Sequence, residues 1–307
     1  MKLQKYQYHF FIIPAVSLLL AIGALLVWGL QIGIDLKGGT LLQVSYSEQR
    51  PELDPLQTEV NKLDMGEFRI QPVNEKEYIL RFKDVTPEEK KQVDEVLQSF
   101  GAFEEVQYNS VGPSIGSELM HKSWWAMGMI VLLTISFIAF AFRHVSEPVA
   151  SWKYGVVAML TLVHDIVIPT GLFAYLGHVR GAEVGALFIV ALLTILGISI
   201  NDTIVVFDRI RENLSANMLK HKVEPFADVV WHSTMQTLTR SLNTSLTVII
   251  VLLALFFIGP VATKDFALTL TVGMIAGTYS SILLASPMLI LIAKYQKVAS
   301  PTDTKKS

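Results

Sequence analysis

The chain has 307 residues, 51% hydrophobic and only 17% charged, with a formal net charge of −2 and a mean hydropathy of +0.45. That balance is too apolar for an ordinary soluble domain and fits a polytopic membrane protein, while so small a net charge says nothing about partners. The absence of cysteine excludes disulfides, thiolate metal sites and cysteine nucleophiles, and seven scattered histidines without an H-E-x-x-H pattern argue against catalytic zinc.

The chain opens on the basic residues Lys2 and Lys5, followed by an apolar run over residues 10–30. A signal peptide has a shorter apolar stretch and a small-residue cleavage site, so this run, about the 20 residues a span needs, predicts an uncleaved first membrane helix. Residues 31–123 are mixed polar and predict an extracytoplasmic domain. Within it, residues 40–46 read as a strand and residues 54–63 as a short helix. Residues 68–73 and 77–82 alternate with period two about a turn at Asn74, which is a hairpin signal. Thr86, Pro87, Glu88 and Glu89 form a helix start, with an N-cap, a proline in the first turn and an acidic first turn. That helix runs to about Phe100, where Gly101 ends it, and residues 103–108 read as a last strand. The order βαββαβ predicts a small α+β ferredoxin-like domain, and a plain extracytoplasmic cap is compatible with the same order. Gly38 and Gly39 before the first strand, and residues 111–119 after the last, read as hinge or coupling segments between this domain and the membrane helices.

Five more apolar runs follow, over residues 124–142, 154–176, 184–207, 241–258 and 266–293, so the predicted fold class is a mostly α polytopic membrane protein with six transmembrane helices. Lys2, Lys5, Arg143, Lys153, Arg209, Arg211, Lys220, Lys222, Lys294 and Lys297 fall on one side of these spans, and only Arg180 and Lys264 on the short loops of the other. The lysine and arginine bias puts both termini and the loop between spans 4 and 5 in the cytoplasm. The expected organisation is a first helix to residue 30, an extracytoplasmic domain over 31–123, five helices over 124–293 and a polar cytoplasmic tail over 294–307.

Ionisable groups at membrane depth are expensive and mark ion pathways by default. Asp202 lies in the inner half of span 4, about 10 Å along the axis from Arg209. Arg240 opens span 5 and reaches a similar depth, so the carboxyl can gain or lose a proton as its distance from that cation changes. A static salt bridge, or an arginine at headgroup level, satisfies the same pattern. Asn201, with Gly197 and Ser199, allows close helix approach and hydrogen bonds. His164 and Asp165 in span 3 form a second candidate proton-handling point or an interhelical structural pair; as neighbours on a helix they point about 100° apart, which argues against one shared pathway. Asp208, Arg209 and Arg211 start the cytoplasmic loop, either as coupling residues or as a solvated helix end.

In these residues the chain resembles the SecF family of bacterial SecD–SecF protein-export complexes. The resemblance is carried by Gly33-Ile34-Asp35-Leu36-Lys37-Gly38-Gly39-Thr40, by residues 111–119, by residues 199–213 around Asp202, and by Thr239-Arg240-Ser241-Leu242-Asn243-Thr244-Ser245, in the family's order along essentially the whole chain. The family usually has phenylalanine where Leu36 stands. The resemblance implies a resistance–nodulation–division type membrane domain in the bacterial inner membrane, with SecD, the Sec channel (SecYEG), its accessory subunits, unfolded polypeptide and membrane lipid as partners, and no nucleic acid. It implies no enzyme activity and no cofactor; the coupling ion is the proton, or sodium as in some marine bacteria. Asp202 then matches the family's intramembrane proton-carrying aspartate and Arg240 its span-5 arginine. A half-transporter of small molecules or lipids, a non-transporting assembly subunit for SecD, and an intramembrane aspartyl protease using Asp165 and Asp202 are the competing readings.

Overall fold

The computed structural model describes residues 10–141 and 149–298. Lys2, Lys5, Arg143 and the tail from Ser300 lie outside the described residues, and so does whatever they say about orientation. The chain divides into two compact units, a helical one and a smaller one made of Gln31–Trp124 with Glu183–Ala186.

The smaller unit begins with a short turn of helix, α1 being the apolar helix Ile12–Trp28 before it and α2 the turn Ile34–Lys37. Strand β1 (Gly39–Tyr46), helix α3 (Leu53–Asn61), the hairpin β2 (Phe68–Pro72) and β3 (Glu77–Phe82), helix α4 (Pro87–Ser99) and strand β4 (Phe103–Val111) follow. The sheet is antiparallel throughout, in the order β2-β3-β1-β4. Alternation decides which face is covered. Leu42 pairs with Leu80 and Val44 with Tyr78 across β1 and β3. These residues, with Tyr46 and Phe82, are buried against Leu56 and Val60 of α3 and Val93 and Leu97 of α4. The predicted helix start at Thr86 is a full capping box: Thr86 Oγ1 accepts from the Glu89 amide at 3.3 Å while the Glu89 carboxylate accepts from the Thr86 amide at 2.7 Å. The last strand extends to Val111, three residues beyond its sequence reading, because residues 109–111 continue the ladder with residues 39–41 of β1.

Gly38 sits at φ 81° and ψ 158°, a region essentially restricted to glycine. A Cβ there would lie 2.6 Å from Pro113 Cα, and one on Gly116 would lie 2.6 Å from the Gly38 amide nitrogen. The two segments read as hinges are thus packed backbone to backbone in this unit. Gly38→Ala is expected to destabilise the protein by about 1–3 kcal/mol, from strain plus overlap, read as a lower thermal midpoint in detergent.

The helical unit contains α1 and most of α5 (Pro113–Ala141), α6 (Ser151–Arg180), α7 (Ala186–Leu219), α8 (Phe226–Ile258) and α9 (Val261–Ser280). A π-turn over Ser281–Ala285 joins α9 to α10 (Ser286–Val298). Among the described residues, five helices are long and apolar enough to cross a membrane, and Ile12–Trp28 is a shorter apolar helix. Val157, Ala158, Val206, Phe207, Ile210, Val230 and Leu289 form its main core. In contrast, only 6% of the most apolar window of Pro113–Phe140 is buried within the chain.

Three sequence readings shift. Most of the segment 111–119, read as a hinge, forms the first turns of α5, for which Pro113 in the first turn is a natural start. Asp208, Arg209 and Arg211 do not open a loop: α7 runs on to Leu219, because residues 198–224 hold no glycine or proline. Ion pairs Arg209–Glu212 (2.6 Å) and Arg211–Asp208 (2.7 Å), each three residues apart, support that extension. Arg240 likewise lies well inside α8 rather than at its start.

Candidate functional site

Asp165 is wholly buried in the helical unit, and polar groups from three other helices gather on it or on its neighbour. Its Oδ2 accepts from Ser199 Oγ of α7 and from Ser280 Oγ of α9, the latter at 2.9 Å. Its Oδ1 lies 2.9 Å from Nδ1 of His164. The far side of the imidazole faces the Tyr279 hydroxyl, 3.4 Å from Nε2, and Ser17 Oγ of α1 at 3.5 Å. Tyr279 and Ser17 are themselves bonded at 2.8 Å. A continuous chain of exchangeable hydrogens therefore runs Ser199–Asp165–His164–Tyr279–Ser17.

His164 and Asp165, neighbours on one helix, are both buried, and their side chains nevertheless meet in one hydrogen bond. Small residues make this crowding possible. A Cβ on Gly277 would lie 3.1 Å from Ser199 Cβ, and one on Gly273 would overlap Ile195. Gly273 and Gly277, four apart on α9, let α7 and α9 approach closely and bring Ser280 over Asp165. That spacing was readable in the sequence and is the signal that could have led to Ser280. The π-turn that begins directly after Ser280 fits the tendency of such bulges to sit at functional positions.

Asp202 is buried on α7, with 8% of its surface exposed. Ser199 and Asp202 are three residues apart and share a helix face. On α8, the buried Ser241 is directed at the Asp202 carboxyl and Arg240 lies within electrostatic reach, but no ion pair with Arg240 forms and the Ser241 hydroxyl makes no hydrogen bond of full geometry. Arg240 and Asn201 are exposed in the single chain. Further along the same two helices, Arg209 Nε donates to Gln236 Oε1 at 2.6 Å, and Asn213 Nδ2 donates to Ser233 Oγ at 2.8 Å and to Gln236 Oε1 at 3.0 Å. These bonds fix α8 against α7 in register. Gly38 and Gly39 belong to the other unit. Among the described residues, no three His, Asp or Glu side chains converge to hold a metal ion.

The profile of the family described as "Protein export membrane protein SecD/SecF, C-terminal" matches residues 92–295. The chain is 38% identical over 300 residues to the protein translocase subunit SecF of Thermobaculum terrenum, covering 93% of this chain and 92% of that one. It is 34% identical to the subunit of the same name from Anaerolinea thermophila, again over 93% and 92% of the two chains. Among solved structures it is similar to SecDF, a translocon-associated membrane protein from Thermus thermophilus, with a TM-score of 0.75 and 32% identity. That match covers 95% of this chain but only 38% of the SecDF chain.

Proposed function

The chain belongs to the SecF family of protein translocase subunits, and on that premise we propose that it works beside SecD, drawing on the proton-motive force to promote passage of unfolded polypeptide through the Sec channel. The observation that carries the reading is the convergence of polar groups on the buried Asp165, with Asp202 one turn further along the same face of α7 as Ser199. Buried ionisable groups of this kind are retained in membrane helices where ions or protons pass. Asp202 takes and releases the proton, Arg240 sets its charge state by approach and retreat, Asn201 presents a further hydrogen-bonding group beside it, and Asp165 with His164 is a second station. The proton is favoured over sodium because Asp165 Oδ2 already accepts from two serine hydroxyls and Oδ1 lies against the His164 imidazole, leaving little of the carboxyl open to a hard cation. Asp208, Arg209 and Arg211 hold or couple the cytoplasmic end of α7, and Gly38 and Gly39 form the joint of the soluble domain.

The rest of the architecture follows in the same reading. The strand order β2-β3-β1-β4 with two helices on one face supports a ferredoxin-like domain. The apolar α1 supports six spans of resistance–nodulation–division type, with residues 31–123 outside, both termini in the cytoplasm of the inner membrane, and lipid or SecD covering the open faces of α5 and α8. Neither a resident cofactor nor an enzymatic step is part of it.

The test is export into inverted membrane vesicles containing this chain and SecD, with the gradients dissipated one at a time. A protonophore is expected to remove the gradient-stimulated component at constant ATP, and a sodium ionophore to leave it. The reverse pattern would make sodium the coupling ion; no effect of either, with SecD bound, would leave an assembly subunit.

A further inference from the structure

Helix α7, which carries Asp202, lacks a capping side chain of its own: the residue before Ala186 is Gly185. The cap comes from 151 residues away, where Asp35 Oδ2 accepts a hydrogen bond from the Ala186 amide at 2.9 Å. A Cβ on residue 185 would lie 2.7 Å from that same oxygen, so a side chain there would push the carboxylate off the cap. The bond is one of several between residues 31–35 and residues 183–186. Gly33 donates its amide to the Val184 carbonyl at 2.9 Å, and Val184 donates to the Gln31 carbonyl at 2.7 Å, which makes a short parallel bridge of Ile32 with Val184.

Glu183 completes the joint. It forms an ion pair with Arg81 Nε at 2.8 Å, with side-chain exposures of only 17% and 15%. Arg81 lies on β3 and also donates to Gln71 of β2 at 2.9 Å, while Arg69, opposite Arg81 in the ladder, donates to Gln31 at 2.9 Å. Burial pushes the Glu183 carboxyl above its ordinary range, and the Arg81, Arg69 and Lys37 charges act against that shift. The four residues Glu183–Ala186 accordingly group with the soluble unit, while the chain on both sides of them belongs to the helical one.

We propose that Asp35, with the Arg81–Glu183 pair, is a tie that holds Ala186, the first residue of α7, to the smaller unit, so that displacement of the helix bearing Asp202 is felt there through this contact. Asp35 is a positioning residue here, acting through α7. The proposal rests on the ion-driven reading above, since a tie has nothing to transmit if Asp202 does not cycle.

The chain contains no cysteine, which allows a clean test. In vesicles with SecD, Asp35→Ala is expected to lower gradient-stimulated export at least ~5-fold with ATP-driven export and SecD association retained, as for loss of a transmitting contact. Adding Ile32→Cys and Val184→Cys should restore the stimulation when oxidised and lose it again on reduction. Hydrogen exchange on the purified protein supplies a readout independent of export: the Ala186 amide should be protected in the wild type and exchange at least ~10-fold faster in Asp35→Ala. Full stimulation in Asp35→Ala, or loss of export when the disulfide is formed in the otherwise wild-type chain, would overturn the tie, the second because it would show a joint that must open. An unprotected Ala186 amide in the wild type would overturn it as well. If the wild type itself shows no gradient stimulation while that amide is protected, it is the ion-driven reading that fails, and the tie falls as a transmitter while standing as a contact.

Discussion

Asp202→Asn is expected to abolish the gradient-stimulated component of export while leaving the chain folded and bound to SecD. The substitution keeps the size of the side chain and most of its hydrogen-bonding capacity but removes its ability to cycle a proton. The residue is buried and makes no ion pair with Arg240, so no salt bridge is lost and the stability change should stay within about 1 kcal/mol. The functional change is of another order. If proton passage at Asp202 is obligatory, stimulation falls to the ATP-only level, a loss of ~10-fold or more for a step that needs a group able to exchange protons near working pH. The check is export into inverted vesicles at equal protein and SecD levels, with and without the gradient. Stimulation unchanged in Asp202→Asn would make Asp202 a packing residue and leave the assembly reading in place. Arg240→Ala should give the same phenotype by another route, because without the cation nothing links the charge on Asp202 to the spacing of α7 and α8.

The strands and helices of the smaller unit were legible in the sequence because each of their signals is local. Period-two alternation on residues 77–82 puts Tyr78, Leu80 and Phe82 on one face, and Thr86 and Glu89 carry a capping box that needs no distant partner. Asp202 stood out as a candidate for a related reason: an ionisable group in an apolar run is conspicuous whatever surrounds it. What could not be read was which helix faces which. The bonds from Ser199 and Ser280 to Asp165 join residues 34 and 115 positions apart, and neither serine's own neighbourhood in the sequence names the partner it meets. The tie at Asp35 was hidden in the same way. The two glycines at 38 and 39 drew the eye to a hinge, while the carboxylate three residues earlier caps a helix in another part of the chain. Hydropathy also understated α7 and α8, which continue through polar sequence beyond the apolar runs 184–207 and 241–258.

Asp165 carries the second large expectation, and there stability and function should separate. Asp165→Ala strands Ser199 Oγ and His164 Nδ1, which bond to no other group among the described residues, whereas Ser280 keeps a bond to the Gly277 carbonyl at 3.1 Å. Losing the acceptor for buried donors, and opening a space where the side chain stood, should lower stability by about 2–5 kcal/mol, visible as a fall in thermal midpoint in detergent and a reduced yield. Asp165→Asn fills the same space, and the serine hydroxyls can rotate to accept from its amide, so the cost should be nearer about 1 kcal/mol. If Asp165 only knots the helices, Asp165→Asn therefore exports almost normally. If it is a station on the proton's route, Asp165→Asn loses gradient stimulation as Asp202→Asn does, despite near-normal stability. The double variant then decides whether the two carboxyls act in series. Two blocks on one route are not additive, so Asp165→Asn combined with Asp202→Asn should be no worse than the more severe single change, and a further fall in export would place the two groups on separate paths.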